Sequence, residues 1–229
     1  MKNNFSKRYK KILDSSKVSN SLPIEDAIKK VKNNCTTKFN ESIDISLYLN
    51  LKKKNEEVNL RTSVKLPNGN GKKIKIAVLC EEDKVKEAKD SGADMAGSEN
   101  LIKEINAGKI GFDKLVSTPA MMSKMGKLGK ILGPKGLMPN PKIGTVTNNI
   151  SSIVKSLKTG LIEVKSDKDG NVSASIGKKN FDDNKIKENY NSFLETVTKG
   201  KPVGIKGDFI ISAFLTSTMG ISYKLKLGK

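Results

Sequence analysis

The chain has 229 residues, with 43 lysines and arginines against 24 aspartates and glutamates, a formal net charge of +19 and a pI near 9.8. Such a surplus makes a compact chain repel itself unless a polyanion is bound, and nucleic acid is the polyanion it points to, because neutralised phosphates release condensed counterions. Histidine is absent, which excludes Ser-His-Asp and Cys-His nucleophiles and any histidine-bearing metal site; no apolar run is long enough to span a bilayer, and no apolar signal core opens the chain.

From Met1 to Lys17 the chain is basic, with Asp14 its only acid, a composition shared with transit peptides. Its run Lys7, Arg8, Lys10 and Lys11 reads equally as a solvated helix face or as a nucleic-acid contact. Ser21 and Pro23 then open a helix whose apolar face is Ala27, Ile28, Val31 and Cys35. The period changes to two at Ile43, Ile45, Leu47 and Leu49, which alternate with Asp44, Ser46, Tyr48 and Asn50 in a half-buried strand. Val58, Leu60, Thr62, Val64 and Leu66 repeat the pattern, so the two strands read as neighbours in an antiparallel sheet with one wet face. Pro67 to Gly71 breaks the pattern and reads as a linker.

Beyond it, Ile74 to Cys80 is nearly continuous apolar, as in a strand buried on both faces. Asp83 to Ser91 is a helix closed by Gly92, Ala93 to Met95 a short strand, and Leu101, Ile102 and Ile105 mark a helix closed by Gly108. Lys114 to Ser117 gives a third strand, and Thr118 and Pro119 open a methionine-rich helix that Gly126 or Gly129 should end. Strand and helix in alternation indicate a parallel α/β unit. A helix with Ile150, Ile153, Val154 and Leu157 on one face stops at Gly160. After it, Leu161 to Ser166 and Asn171 to Gly177 flank Asp167 to Gly170 as a hairpin. A long amphipathic helix (Ile186, Tyr190, Phe193, Leu194, Val197) ends at Gly200. Phe209, Ile211, Ala213 and Leu215 alternate again, Ser217 to Gly220 turns, and Ile221, Tyr223 and Leu225 form a last strand.

The architecture that accommodates this order is α+β with two domains. One, residues 1–68 plus 160–229, is a discontinuous α+β domain built from both termini, with an antiparallel sheet and helices. The other, residues 69–159, is an inserted α/β three-layer parallel-sheet domain, with connecting strands near Pro67 and Gly160 as a hinge. The insert carries 16 basic and 9 acidic residues and the remainder 27 and 15, so both halves are basic. Cys35 and Cys80 each sit in an apolar pattern and read as buried free thiols in a reducing compartment.

The stretch Met121 to Lys142, MMSKMGKLGKILGPKGLMPNPK, holds Lys124, Lys127, Lys130, Lys135 and Lys142 and no acid. Its glycines permit close backbone approach and its prolines stiffen it. It reads either as a rigid loop shaping its domain or as a secondary basic surface for RNA. It lacks the spacing of a phosphate-cradling P-loop, and Gly69-Asn70-Gly71 does not continue into a dinucleotide fingerprint.

GKLGKILGPKGLMPNPKIGTV closely resembles the signature of the bacterial large-subunit ribosomal protein L-one family, the protein of the ribosomal stalk. Thr37 to Ser42, Asp167 to Gly170 and Ser217 to Gly220 agree in the right order, so the resemblance spans essentially the whole chain. Two places depart from it: Lys53, Lys54, Glu56 and Glu57 make one loop more charged than the family pattern, and Ile221 stands where a proline is expected. The resemblance implies a non-enzymatic constituent of the large (50S) ribosomal subunit in the cytoplasm, starting where bacterial members start and so without a presequence. It implies binding to the 23S rRNA stalk, help in releasing deacylated tRNA from the exit site, and repression of the protein's own mRNA. No cofactor, metal, membrane or small-molecule substrate is implied. Carried over by motif, the RNA-binding residues are Lys38, Phe39, Asn40, Glu41, Thr218, Met219 and Gly220, with Lys168 adding a phosphate contact. Short polar groups and backbone suit the shallow minor groove of RNA, and Phe39 and Met219 suit a sugar or base. From residues alone, Phe39 reads also as core and Met219 as packing filler. A different class of reading is an RNA-processing or nucleotide-using enzyme on the inserted domain.

Overall fold

The structure, a computed structural model, describes residues 5–16, 21–53, 56–57, 60–202, 205 and 207–227. In chain order its labelled elements are α1 (Lys7–Ser15), α2 (Ile24–Asn33), β1 (Ser42–Leu49), β2 (Lys52–Lys53), β3 (Glu56–Glu57), β4 (Arg61–Lys65), β5 (Ile76–Leu79), α3 (Val85–Asp90) and β6 (Met95–Gly97). Then follow α4 (Glu99–Asn106), β7 (Lys114–Ser117), α5 (Pro119–Met125), α6 (Gly129–Leu132), α7 (Ile150–Thr159), β8 (Leu161–Lys165), β9 (Asn171–Lys178), α8 (Asp183–Lys199), β10 (Ile210–Ser217) and β11 (Tyr223–Lys224). The chain divides into two compact units, residues 1–71 with 162–229, and residues 72–161.

In the terminal unit an antiparallel sheet has the order β11-β10-β1-β9. β1 is its centre because its alternation is strict: Ile43, Ile45, Leu47 and Leu49 are buried while the residues between them keep partial exposure. The buried row meets Ala27, Ile28 and Val31 of α2 and Ile186, Tyr190, Phe193 and Val197 of α8 in one core. The strands expected at Ile43 to Leu49 and Val58 to Leu66 are not partners. β1 pairs with β9 and β10, while β4 pairs with β8 in a separate ladder against α8. Val58 and Asn59 lie outside the described residues, as does Lys54. The hairpin expected across Asp167 to Gly170 is likewise only a turn. Its arms touch at one bridge, Ser166 to Val172, and then diverge into different ladders. Ile211, expected to point inward, is half exposed, because the register of β10 slips between Tyr48 and Leu49 of β1.

The inserted unit is a parallel sheet, β6-β5-β7, with helices on both faces. Alternate residues of β5 point oppositely. Ala77 and Leu79 join the core of α4, α5 and α6, while Ile76, Val78 and Cys80 join that of α3 and α7. Burial on both faces is what the continuous apolar run required. Both cysteines are free and buried.

α5 ends at Met125 with Gly126 as its C-cap, as expected, yet neither Gly126 nor Gly129 turns the chain away. Both have right-handed helical φ and ψ, and the chain passes through a single 3-10 turn into α6, seating Met121, Met125, Leu128 and Leu132 in the core. A Cβ at either glycine would meet nothing within 4 Å. Gly126→Ala and Gly129→Ala are therefore expected to stabilise this segment by about 0.5–1 kcal/mol each, by removing the entropic disadvantage of glycine. Slower amide hydrogen exchange across residues 119–132 would register the gain; faster exchange would contradict it.

Candidate nucleic-acid interface

Two loops meet at one end of the terminal sheet. β1 starts at Ser42, β10 ends at Ser217, and Ile43 lies opposite Ser217, so residues 36–41 and 218–220 are brought together by register alone. Thr218 extends the ladder: its N–H donates to the Ser42 carbonyl (3.1 Å), and its Oγ1 accepts the Ser42 N–H (3.0 Å). At Gly220 an added Cβ would lie 2.3 Å from the Ser217 Oγ, so the turn packs closest where a side chain would not fit.

Glu41 ties the loops from within. It is fully buried, yet its carboxylate is well supplied with donors. Oε1 accepts from the Thr37 Oγ1 (2.8 Å) and the Thr37 N–H (3.3 Å), and Oε2 accepts from the Met219 N–H (3.1 Å). Burial alone would raise its pKa, but the bonds from Thr37 and Met219, with the Ser217 hydroxyl adjoining, outweigh burial and hold the carboxyl below its ordinary value. Glu41 thus acts on the surface only through what it holds.

What it holds is displayed outward. Phe39 is 52% and Met219 47% exposed, which removes both from the core. Lys38, Asn40 and Thr218 are exposed beside them, and Gly220 is half-buried. Three further cations stand at this end. The Lys178 Nζ donates to the Ser42 Oγ (2.7 Å) and the Lys179 Nζ to the Cys35 carbonyl (2.7 Å). The Arg8 guanidinium donates to the Thr36 Oγ1 (3.2 Å) and the Met219 carbonyl (2.7 Å). Lys178 and Lys179 escaped the sequence reading because only the register of β9, which sets Lys178 opposite Ser42, brings them here.

Lys168 is not part of this cluster. It sits exposed in the turn before β9, where Asp167 accepts from the Asn171 N–H (2.6 Å) and side-chain amide (2.9 Å) and the Gly170 carbonyl accepts from the Leu49 N–H (2.9 Å). That places it at the other end of β1, about 23 Å away at the usual rise of a strand.

In the inserted unit Lys124, Lys127, Lys130 and Lys135 are exposed along α5, α6 and the turn beyond; the side chain of Lys142 lies outside the described residues. Lys124 pairs with Glu99 at 2.8 Å. A depression beside β6 is lined by Glu82, Asp94 and Glu104 as well as Lys89, an acidic rim that disfavours a nucleotide phosphate. Among the described residues, no helix is long and apolar enough to cross a membrane.

Comparison with known proteins places the chain among its relatives. The chain is 52% identical over 225 residues to the large ribosomal subunit protein uL1 of Pelagibacter ubique (strain HTCC1062), covering 98% of each chain. It is 46% identical to uL1 of Prochlorococcus marinus (strain NATL1A), over 99% of this chain and 96% of that one, and 39% identical to uL1 of Rickettsia canadensis (strain McKiel), over 99% and 95%. These relatives are named as ribosomal proteins and not as enzymes, which removes the reading of a nucleotide-using enzyme on the inserted unit. Residues 31–221 match the family described as ribosomal protein L1p/L10e, and the chain belongs to that family.

Proposed function

We propose that this structural protein of the large ribosomal subunit binds the 23S rRNA stalk through the end of the terminal sheet where residues 36–41 and 218–220 meet. The observation that carries the reading is the pair Phe39 and Met219, two large apolar side chains left half exposed among cations by loops tied together beneath them. Apolar groups set beside short polar groups suit the sugar edge of an RNA minor groove, while Lys38 and Lys178 supply phosphate attraction. The same surface serves the protein's own mRNA, wherever that RNA presents the stalk's shape, and so represses its translation. The lysines of Met121 to Lys142 form a secondary basic surface, and the protein works on the cytoplasmic ribosome, where it helps deacylated tRNA leave the exit site.

Binding of the full chain to a transcript of the 23S stalk tests the main claim. Phe39→Ala and Thr218→Val are each expected to lose about 1–2 kcal/mol of affinity, with tyrosine fluorescence confirming that the terminal unit stays folded. Lys127→Ala is expected to reduce the salt slope by about one unit if it removes one phosphate contact in the secondary surface. Unchanged affinity in both Phe39→Ala and Thr218→Val would place the RNA elsewhere.

A further inference from the structure

The geometry points to Arg8 as a positioning residue of the RNA interface, locking from outside the loop that Glu41 holds from within. The inference rests on the reading of this end of the sheet as the RNA surface. Arg8 and Arg61 are the only arginines among 43 basic residues. Where charge alone is needed this chain uses lysine, so each arginine raises the question of what its planar fork supplies.

At Arg8 the fork spans two loops. One terminal nitrogen donates to the Thr36 hydroxyl (3.2 Å) and the other to the Met219 carbonyl (2.7 Å). The Met219 peptides are consequently gripped twice. The N–H donates to the buried carboxylate of Glu41 at 3.1 Å, and the carbonyl accepts from the guanidinium at 2.7 Å. A negative group at the N–H and a positive group at the C=O complement the backbone dipoles from opposite sides, which fixes the direction in which the exposed Met219 side chain projects. A lysine ammonium is a point donor on a flexible stem and does not reproduce the two-nitrogen span. Arg61 also uses two nitrogens at once, though both converge on one acceptor: its Nε (3.1 Å) and a terminal nitrogen (2.8 Å) donate to the same oxygen of Glu163.

The helix that carries Arg8 is anchored to the same two segments. Ser6 caps α1 by accepting from the Tyr9 N–H, and Ile12 is buried. At its other end Ser16 accepts from Asn34, in the segment leading into the recognition loop (3.2 Å), and from Tyr223, just after the recognition turn (2.9 Å). Asn34 and Tyr223 also bond to each other. α1 thus straps the segments before and after the interface at both of its ends, and Arg8 is the point at which the strap touches the recognition turn itself.

Titration of the full chain with the 23S stalk transcript over a series of salt concentrations tests this, using Arg8→Lys and Arg8→Ala beside Phe39→Ala and Thr218→Val. Both Arg8 variants are expected to bind about tenfold more weakly, as for loss of a charge-assisted hydrogen bond, with the salt slope unchanged. Amide exchange at Met219 and Gly220 should quicken while the melting temperature of the terminal unit holds. Wild-type affinity in Arg8→Lys overturns the inference, since the fork would then be dispensable. A salt slope lowered by about one unit in Arg8→Ala and restored in Arg8→Lys also overturns it, by making Arg8 a phosphate contact. If Phe39→Ala and Thr218→Val weaken binding and the Arg8 variants do not, this inference alone falls. If none of the four changes affinity, the RNA-surface reading falls and takes this one with it.

Discussion

Glu41→Leu is expected to destabilise the terminal unit by about 3 kcal/mol or more and to abolish tight RNA binding. The substitution leaves the part-buried Thr37 and Met219 N–H groups without their acceptor and takes from the Thr37 hydroxyl the shorter of its two bonds, the other being to the Phe39 carbonyl at 3.3 Å. Each group so orphaned costs about 1–3 kcal/mol, and partial opening of the loops to water recovers some of that. Recovery by opening is itself the loss of function, because Phe39 and Met219 are then no longer held in one arrangement. Glu41→Gln should fall between: one amide oxygen accepts from either Thr37 or Met219, while the amide nitrogen confronts a donor on the other side. The pH dependence has a definite sign. The folded carboxyl titrates below its ordinary value of 4.5, so ionised Glu41 contributes stability that is complete above that value. The contribution is lost as pH falls through the lower folded value. The stability gap between wild type and Glu41→Gln should therefore narrow on acidification below about 4.5. All four tyrosines (Tyr9, Tyr48, Tyr190 and Tyr223) lie in the terminal unit and there is no tryptophan, so tyrosine fluorescence in urea reports on that unit alone. A gap that stays constant with pH would show that Glu41 is not held as a carboxylate.

The periodicities made the elements legible, and where they were strictest they also named the buried side. β1, α7 and α8 bury the faces their apolar spacing marked. Pairing was much less legible. β1 joins β9 and β10 through residues more than 120 positions away, and no local pattern distinguishes such partners from the nearby β4. Local rules placed the end of α5 correctly at Gly126 but did not foresee that the chain would carry on through a 3-10 turn into α6, a path sustained by four apolar anchors in the core rather than by intrinsic preference. Motif resemblance named two loops that the register of β1 and β10 does bring together, but not the division of labour within them. That Glu41 faces inward and Phe39 outward follows from which side of the loop the Thr37 and Met219 donors lie on. Arg8 was open to either reading in the sequence because a cation near a helix terminus carries no sign of its partner 211 residues later.

Asn189→Leu is the second change expected to cost about 3 kcal/mol or more, and it probes how the sheet is tied to the chain's exit from the terminal unit. Asn189 is a fully buried polar residue on α8, and its amide is fully engaged. Its oxygen accepts from the Asn68 N–H (3.1 Å), and its nitrogen donates to the carbonyls of Gly69 (2.8 Å) and Ile176 (2.7 Å). One side chain thereby joins the helix, β9 and the turn after Leu66, and a leucine of similar size leaves three backbone groups unpaired at about 1–3 kcal/mol each. Asn189→Asp makes the chemistry explicit. Two carbonyls would face a carboxylate, so the acid must stay protonated to donate, and its pKa rises in the folded state. The contribution of a raised acid is present at low pH and lost as pH climbs through the folded value, so Asn189→Asp should recover stability on acidification, opposite in sign to Glu41. The turn it holds is not remote from the proposed RNA surface. The backbone at Gly71 packs against the Lys178 stem, and the Lys178 Nζ donates to Ser42, the residue that Thr218 clasps. Urea denaturation followed by tyrosine fluorescence at neutral and acid pH would decide the matter. Equal stability of wild type and Asn189→Leu would mean that the turn finds other partners, and that the three-way bond is incidental to the fold.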